Sequence, residues 1–91
     1  MEMLRRCGET AELLEELRSQ VSPLLLSDLG CAAALCRAAM EAAAMNVWVN
    51  TRSLRGDGEA ETLNAETRRL LDRALPGLDR LVRDVREQLE T

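Results

Sequence analysis

The stretch SDLGCAAALCRAAMEAAAMNVWVNTRS, residues 27–53, decides the fold of this chain. Between residues 29 and 49 its only strongly polar side chains are Arg37, Glu41 and Asn46. A helix that is apolar on almost all sides is typical of a central helix that other helices surround. Because its surface consists mainly of Ala and Gly, neighbouring helices can approach closely but bury little apolar area per residue. The sequence therefore predicts a central helix with most of its circumference out of water.

A shorter helix is predicted before it. In residues 2–21 apolar side chains recur three or four positions apart, which forms one stripe along an amphipathic helix. Gly8 weakens the first turns, so we expect the helix to be firm from about Glu9. Pro23 disfavours helix in the preceding residue and ends the segment. Three leucines, residues 24–26, are expected to cover one end of the bundle or a subunit contact.

A third helical segment follows a loop that contains two glycines. From residue 59 to residue 89 the apolar positions keep one helical phase through Pro76 and Gly77. This continuity favours one long helix kinked at Pro76, with two helices, 59–74 and 76–90, as the alternative. Opposite charges four residues apart, such as Asp79 with Arg83, indicate a solvated outer face.

The helix starts carry recognisable polar residues. Ser27 is predicted to cap the central helix, and Asp28 in its first turn suits the positive end of the helix dipole. Asp57 can cap the third helix in the same way. Arg37 and Glu41 lie four apart and are expected to form a buried or interfacial pair.

The predicted fold class is all-α: an antiparallel bundle of three long helices that forms a single domain over residues 1–91. The chain has no Phe, no Tyr and one aromatic residue, Trp48, so its core must be built from smaller side chains. Two flanking helices cannot cover the apolar surface, which predicts a homo-oligomer, most simply a dimer. Trp48 is expected to pack against the first helix or a second subunit.

Charge and cysteine content exclude several classes of function. A formal charge of −4 argues against nucleic acid as a partner. Arg37 and Glu41 near the middle of the apolar stretch argue against a membrane span. Three cysteines, an odd number, and no apolar signal sequence indicate a reducing compartment, the cytoplasm. The chain has no His, and Cys31 and Cys36 are predicted on different helix faces, so no metal site is expected.

The order Ser-Asp-x-Gly, an Ala-rich middle and Asn-Val-x-Val-Asn in residues 27–50 resembles the formiminotetrahydrofolate cyclodeaminase and methenyltetrahydrofolate cyclohydrolase family. The domain of that family is considerably longer, and its N-terminal half, with a Pro-Gly-Gly-Gly-Ser-like turn, has no counterpart here. The chain therefore resembles the C-terminal half of such a domain.

The resemblance implies a role in one-carbon metabolism, with a tetrahydrofolate derivative as a ligand and no bound cofactor. The implied ligand-binding residues are Ser27, Asp28, Asn46 and Asn50, of which Asp28 is the candidate acid or base. Residue types alone also allow Asp28 to stabilise only the helix start. The two asparagines lie on one helix face and could equally form a structural hydrogen-bond network within the bundle.

Two functions remain open, and so does the question of whether the chain is an enzyme. Because His, Tyr and a Gly-rich turn are absent, one prediction is an oligomeric or degenerate folate-binding module without independent catalysis. The alternative is an active cyclodeaminase or cyclohydrolase whose site is assembled between subunits.

Overall fold

The structure, a computed structural model, describes residues 1–20, 22, 25–54 and 56–91. Within these residues it contains three α-helices and no β-strand, which confirms the all-α prediction: α1 Glu2–Leu17, α2 Leu26–Arg52 and α3 Gly58–Glu90. Together they form a rod of 51 × 20 × 16 Å. All three helices contact one another, so the described chain is one helical unit.

α1 runs parallel to α3. Near its start Arg5 forms an ion pair with Glu66, and just beyond its end Arg18 contacts the Asp84 carboxylate. α1 therefore lies beside the part of α3 between residues 66 and 84. The first two turns of α3 extend beyond α1, toward the turn that joins α2 to α3.

α2 runs antiparallel to α3 and hence to α1. Gly30, near its start, lies against Val85, whereas Thr51, near its end, lies against Asn64. The chain thus goes up, down and up, which agrees with the predicted antiparallel order of consecutive helices.

The core lies where the three apolar stripes meet. Its buried members are Leu4, Ala11 and Leu14 of α1, Leu29, Ala33, Cys36, Met40 and Ala43 of α2, and Leu78, Leu81 and Val85 of α3. The members from α1 and α3 all occupy positions predicted from helical periodicity, whereas the sequence did not select one side of α2. Trp48 is not among them, so this core contains no aromatic ring.

The first helix begins earlier and ends earlier than expected. α1 is helical from Glu2, because Leu4 is fully buried and Arg5 is tied to α3. It ends at Leu17, and residues 18–20 form a turn. The predicted stop at Pro23 lies outside the described residues, as do Val21 and Leu24.

Of the three connector leucines, the two described ones differ. Leu26 packs against the core, whereas Leu25 is exposed. Within one chain Leu26 is therefore covered by the bundle and Leu25 is not, and the predicted subunit contact of these leucines stays a prediction.

The prediction that Ser27 caps the central helix is wrong. α2 begins at Leu26 with Leu25 at the cap position, and no side chain caps its first turn. The Leu25 N–H donates to the Ser22 carbonyl at 3.0 Å, and the helix begins at the next residue, so Ser27 is already inside it. Asp28 does lie in the first turn, as predicted.

The turn before α3 uses two residues suited to their backbone positions. Asp57 accepts a hydrogen bond from the Glu59 N–H at 2.8 Å, which confirms the predicted cap. Gly56 has a positive φ of 85°, a conformation that L-residues with a Cβ rarely adopt.

We predict that Gly56→Ala lowers the free energy of unfolding by about 1–2 kcal/mol, because Ala is strained at positive φ. Gly58→Ala is the matched control: it adds the same methyl group in the first turn of α3, where no atom lies within 4 Å. That variant should be as stable as the wild type or slightly more stable. Urea denaturation compares the two, and equal losses would contradict the prediction.

α3 is one helix through Pro76, which decides against two separate helices. Proline has no N–H to donate, so the Asp72 carbonyl lacks its usual partner in the helix. Gly77 is buried beneath the Glu15 carboxylate of α1. The bend at Pro76 stays a prediction.

Within one chain α2 is not surrounded on all sides, so the predicted burial of most of its circumference depends on the predicted oligomer. A row of exposed residues runs along its whole length, and three of its large apolar members are 71%, 61% and 70% exposed: Leu35, Met45 and Val49. α1 and α3 cover only the opposite side. Among the described helices none is long and apolar enough to cross a membrane.

We call this row the outer stripe. Its eight members are all exposed: Asp28, Cys31, Leu35, Ala38, Ala42, Met45, Val49 and Arg52.

Candidate functional site

Two of the four predicted ligand-binding residues lie at the start of α2. Ser27 and Asp28 are exposed, and within the described chain neither side chain hydrogen-bonds another residue. Ser27 borders an open, mostly apolar groove of about 350 Å³ against Val85 and Leu89 of α3. The Asp28 carboxylate lies in the first turn of α2, where a negative charge interacts favourably with the helix dipole.

The other two predicted residues lie at the far end of the same helix. Asn46 and Asn50 are exposed on one face, so the alternative of a buried structural network does not hold. Eighteen residues separate Asn46 from Asp28, which at about 1.5 Å per residue is roughly 27 Å. Within one chain the four candidate residues therefore do not form one site.

The buried polar pair at this end consists of different residues. Thr51 is buried, and its hydroxyl donates to the Asn64 side-chain oxygen at 2.7 Å. This bond joins the end of α2 to the beginning of α3. Sequence reasoning assigned no role to either residue, although Asn64 on the inner side of a predicted helix was a signal that it needs a partner.

Beside this pair lies an open groove of about 360 Å³. It is lined by Trp48, Thr51, Arg52, Gly56, Ala60, Glu61 and Asn64. Trp48 is 41% exposed and borders this groove together with residues of α3, whereas the sequence predicted contact with α1 or a second subunit. Its contact with a second subunit stays a prediction. A groove lined by an indole, a guanidinium and a carboxylate offers the groups that hold a flat, polar ring by stacking and hydrogen bonding.

Arg37 joins two helices and is not part of a buried pair. Its guanidinium lies 3.7 Å from Glu41 and also contacts the Asp79 carboxylate of α3. All three side chains are nearly half exposed. The expected buried pair is therefore a half-exposed bridge, and Asp79, predicted on a solvated face, serves the α2–α3 contact.

Acidic and basic side chains also line a cleft of about 250 Å³ between α1 and α3. Arg5 donates two hydrogen bonds to the Glu66 carboxylate, at 2.8 and 3.1 Å. Arg73 of α3 forms an ion pair with Glu12 of α1 at 3.0 Å, about two turns further along both helices. Each of these two ion pairs joins a side chain of α1 to one of α3. Together they fix the alignment of the two helices.

The paired carboxylate responds to pH. The hydrogen bond from Arg5, followed by its charge, holds the pKa of Glu66 below its ordinary value. A lowered carboxyl pKa in the folded state stabilises the protein above the ordinary pKa, and this contribution is lost as the pH falls through the folded-state pKa.

We therefore predict that Glu66→Gln makes the free energy of unfolding less dependent on pH between neutral and acidic conditions. Glu16→Gln, at an exposed position of α1, is the matched control and should keep the wild-type dependence. Denaturant unfolding at neutral pH and at about pH 3.5, below the ordinary Glu pKa of about 4.3, measures both. A wild-type pH dependence in Glu66→Gln would contradict the prediction.

The cysteines occupy different surroundings. Cys31 is exposed and Cys36 is buried, so they do lie on different faces of α2. The Cys36 thiol donates to the Cys7 carbonyl at 3.3 Å, and burial raises the pKa of the Cys36 thiol. In the part of the chain that the structure describes, no three metal-ligating side chains cluster.

Comparison with known families adds one match. The sequence profile described as Formiminotransferase-cyclodeaminase matches residues 1–69, about three quarters of the chain. The match covers α1, α2 and the beginning of α3, and it includes all four candidate residues. No curated protein matches the chain, and no solved structure does.

Proposed function

The chain belongs to the formiminotransferase-cyclodeaminase family, and from that premise we propose that it is an oligomeric helical module with a degenerate folate-binding site. In this proposal it does not catalyse a cyclodeaminase or cyclohydrolase reaction by itself. The observation that carries the proposal is the separation of Asp28 from Asn46 and Asn50 along α2, roughly 27 and 33 Å at about 1.5 Å per residue.

The chemistry of the family supports the same proposal. Opening or closing a one-carbon bridge on tetrahydrofolate needs proton donors and acceptors held around a bound pterin. The chain contains no His and no Tyr. Asp28 is exposed near a helix end, and no described side chain hydrogen-bonds it, so the single chain does not hold this carboxylate in place for proton transfer.

The binding half of the proposal rests on the end of α2 that carries Asn46, Trp48 and Asn50. The groove beside Trp48 offers an aromatic face and charged groups, and the exposed amides of Asn46 and Asn50 lie at the same end of α2 but outside the lining of this groove. A pterin is flat and rich in hydrogen-bond donors and acceptors. Free thiols, including exposed Cys31, agree with a cytoplasmic location as part of this proposal.

The alternative function is an active enzyme whose site is assembled between subunits. The observation that favours it is that all four candidate residues are exposed, two at each end of one helix. A second copy of α2 lying in the opposite direction would place the start of one helix beside the end of the other.

The test is a titration of the purified protein with 5,10-methenyltetrahydrofolate, observing Trp48 fluorescence and then the rate of hydrolysis. Trp48 is the only tryptophan, so its emission reports on one place in the chain. We expect saturable quenching with no turnover above the uncatalysed rate, and weaker binding in Arg52→Ala, which removes a charged side chain from the groove. Free tryptophan under the same conditions corrects for absorption by the folate.

Two results would contradict the proposal. Turnover that is abolished by Asp28→Ala, but retained in the exposed-acid control Asp72→Ala, would establish the alternative enzyme. Absence of saturable quenching would remove the folate-binding half and leave only the assembly module.

A further inference from the structure

The outer stripe has the spacing of a helix-pairing surface. Its eight exposed members follow one another at alternating steps of three and four residues, from Asp28 to Arg52. This is the heptad pattern by which two helices pack side chains into each other along a seam. Because α1 and α3 pack on the other side of α2, the seam is not used within the chain.

The stripe is also symmetric about residue 40. Every member has a counterpart at the same distance on the other side, and the counterparts match in chemistry: Asp28 with Arg52, Cys31 with Val49, Leu35 with Met45, and Ala38 with Ala42. A surface that is complementary to its own reverse fits a second copy of itself related by a two-fold axis.

We propose that two copies of this chain pair through the outer stripe, with the two α2 helices antiparallel and the two-fold axis passing near residue 40. The proposal rests on the self-association proposed above and adds the surface, direction and register of the contact. Each pair of counterparts then becomes one layer of the seam between the subunits.

Charge selects this direction over the parallel one. In the antiparallel pair each Asp28 faces the partner's Arg52, so both ends of the seam hold opposite charges. A parallel pair would place Asp28 against its own copy and Arg52 against its own copy, and like charges in close contact are unfavourable.

The size of the side chains suits the same arrangement. Ala38 and Ala42 at the middle let the helix backbones approach closely. Leu35 and Met45, both largely exposed in one chain, then cover each other on either side. The apolar middle and charged ends resemble the core and rim of protein interfaces in general.

The pairing changes the surroundings of two of the four candidate residues. Ser27 and Asp28 of one subunit come beside Arg52 of the partner subunit at each end of the seam, whereas Asn46 and Asn50 lie on a side of α2 that does not face the seam. The dimer therefore contains two identical polar clusters that one chain cannot form, each near a Trp48 groove.

Disulfide trapping tests the register. In Val49→Cys, mild oxidation should join Cys31 of one subunit to the introduced thiol at position 49 of the other, because these positions face each other across the seam. The wild type should form no such bond, since its two Cys31 thiols lie roughly 27 Å apart when the helices are antiparallel. Arg68→Cys, at an exposed position of α3, is the control and should not cross-link rapidly.

A charge exchange provides an independent measurement. Asp28→Arg should weaken the dimer about tenfold, because both seam ends then carry two arginines. Adding Arg52→Asp should restore the wild-type dissociation constant, because opposite charges then face each other again at both ends of the seam. The double variant still carries Asp28→Arg, so a recovery cannot come from restoring the start of α2. In a parallel dimer every residue faces its own copy. Asp28→Arg would then not weaken the dimer in this way, and adding Arg52→Asp would not restore the dissociation constant.

The outcomes separate this inference from the proposed function. A wild type that sediments as a monomer at micromolar concentrations would overturn both the assembly and the seam. A dimer that cross-links through Cys31 in the wild type, or that shows no cross-link in Val49→Cys and no recovery in the charge exchange, would overturn the seam alone. A dimer with both expected results establishes the antiparallel register.

Discussion

Leu78→Ala should lower the free energy of unfolding by about 3 kcal/mol, within the range of about 2–5 kcal/mol for a buried leucine. Leu78 is fully buried in a core without aromatic rings. The helices pack closely at this level, with Gly77 beneath the Glu15 carboxylate, so the backbone has little freedom to collapse into the space. A domain of this size has a total stability of roughly 5–14 kcal/mol, so the loss is a large share of it.

Leu13→Ala is the matched control, because Leu13 is exposed on α1 and its truncation leaves no cavity. We expect that variant to remain within about 0.5 kcal/mol of the wild type. Urea denaturation followed by circular dichroism, at one fixed protein concentration, measures both. Similar stability losses in the two variants would contradict the described core.

The second large effect concerns assembly. Ala38→Glu should weaken self-association at least a hundredfold, because it places two carboxylates beside the two-fold axis in the narrowest part of the seam, where neither has a partner. Ala38 is exposed in the single chain, so the helices should form normally. Sedimentation equilibrium gives the dissociation constant, and circular dichroism verifies the fold.

Ala65→Glu is the control for this variant, since it makes the same substitution at an exposed alanine of α3. Its dissociation constant should equal that of the wild type. Unchanged assembly in Ala38→Glu would show that the subunits, if they associate, use another surface.

The helices were predictable because their signals are local. Apolar spacing identified the inner sides of α1 and α3, and phase continuity through Pro76 identified one helix. Asp57 was predictable as a cap because its carboxylate acts on the next turn of its own chain. The role of Ser27 was not predictable in the same way. A serine side chain is able to cap a helix, but its presence does not determine where the helix begins, and α2 begins one residue before it.

The arrangement around α2 could not be predicted in the same way. A helix of Ala, Leu and Met has several sides that can be covered, and composition does not show which side the neighbours choose. The ion pairs also depended on the packing: Asp79 and Asp84 have partners at suitable spacing within α3, yet they pair with Arg37 and Arg18 of the other helices. Long side chains reach whichever opposite charge the bundle brings close.

The candidate site was predictable in its residues and not in its geometry. The resemblance selected Ser27, Asp28, Asn46 and Asn50, and the structure shows all four exposed. Their order along one helix already implied a large separation. The hydrogen bond between Thr51 and Asn64 depends on how the α2–α3 turn closes, which spacing alone does not determine.

The offset of α1 divides the rod into parts of unequal local stability. α1 begins beside Glu66, so the end that holds Trp48 and Asn50 consists of two helices instead of three. Backbone amides there should open without global unfolding and exchange with deuterium sooner than those beside the core. A ligand that binds this end would tighten it, and slower exchange in the last turns of α2 would register the binding even where no atom changes its mean position.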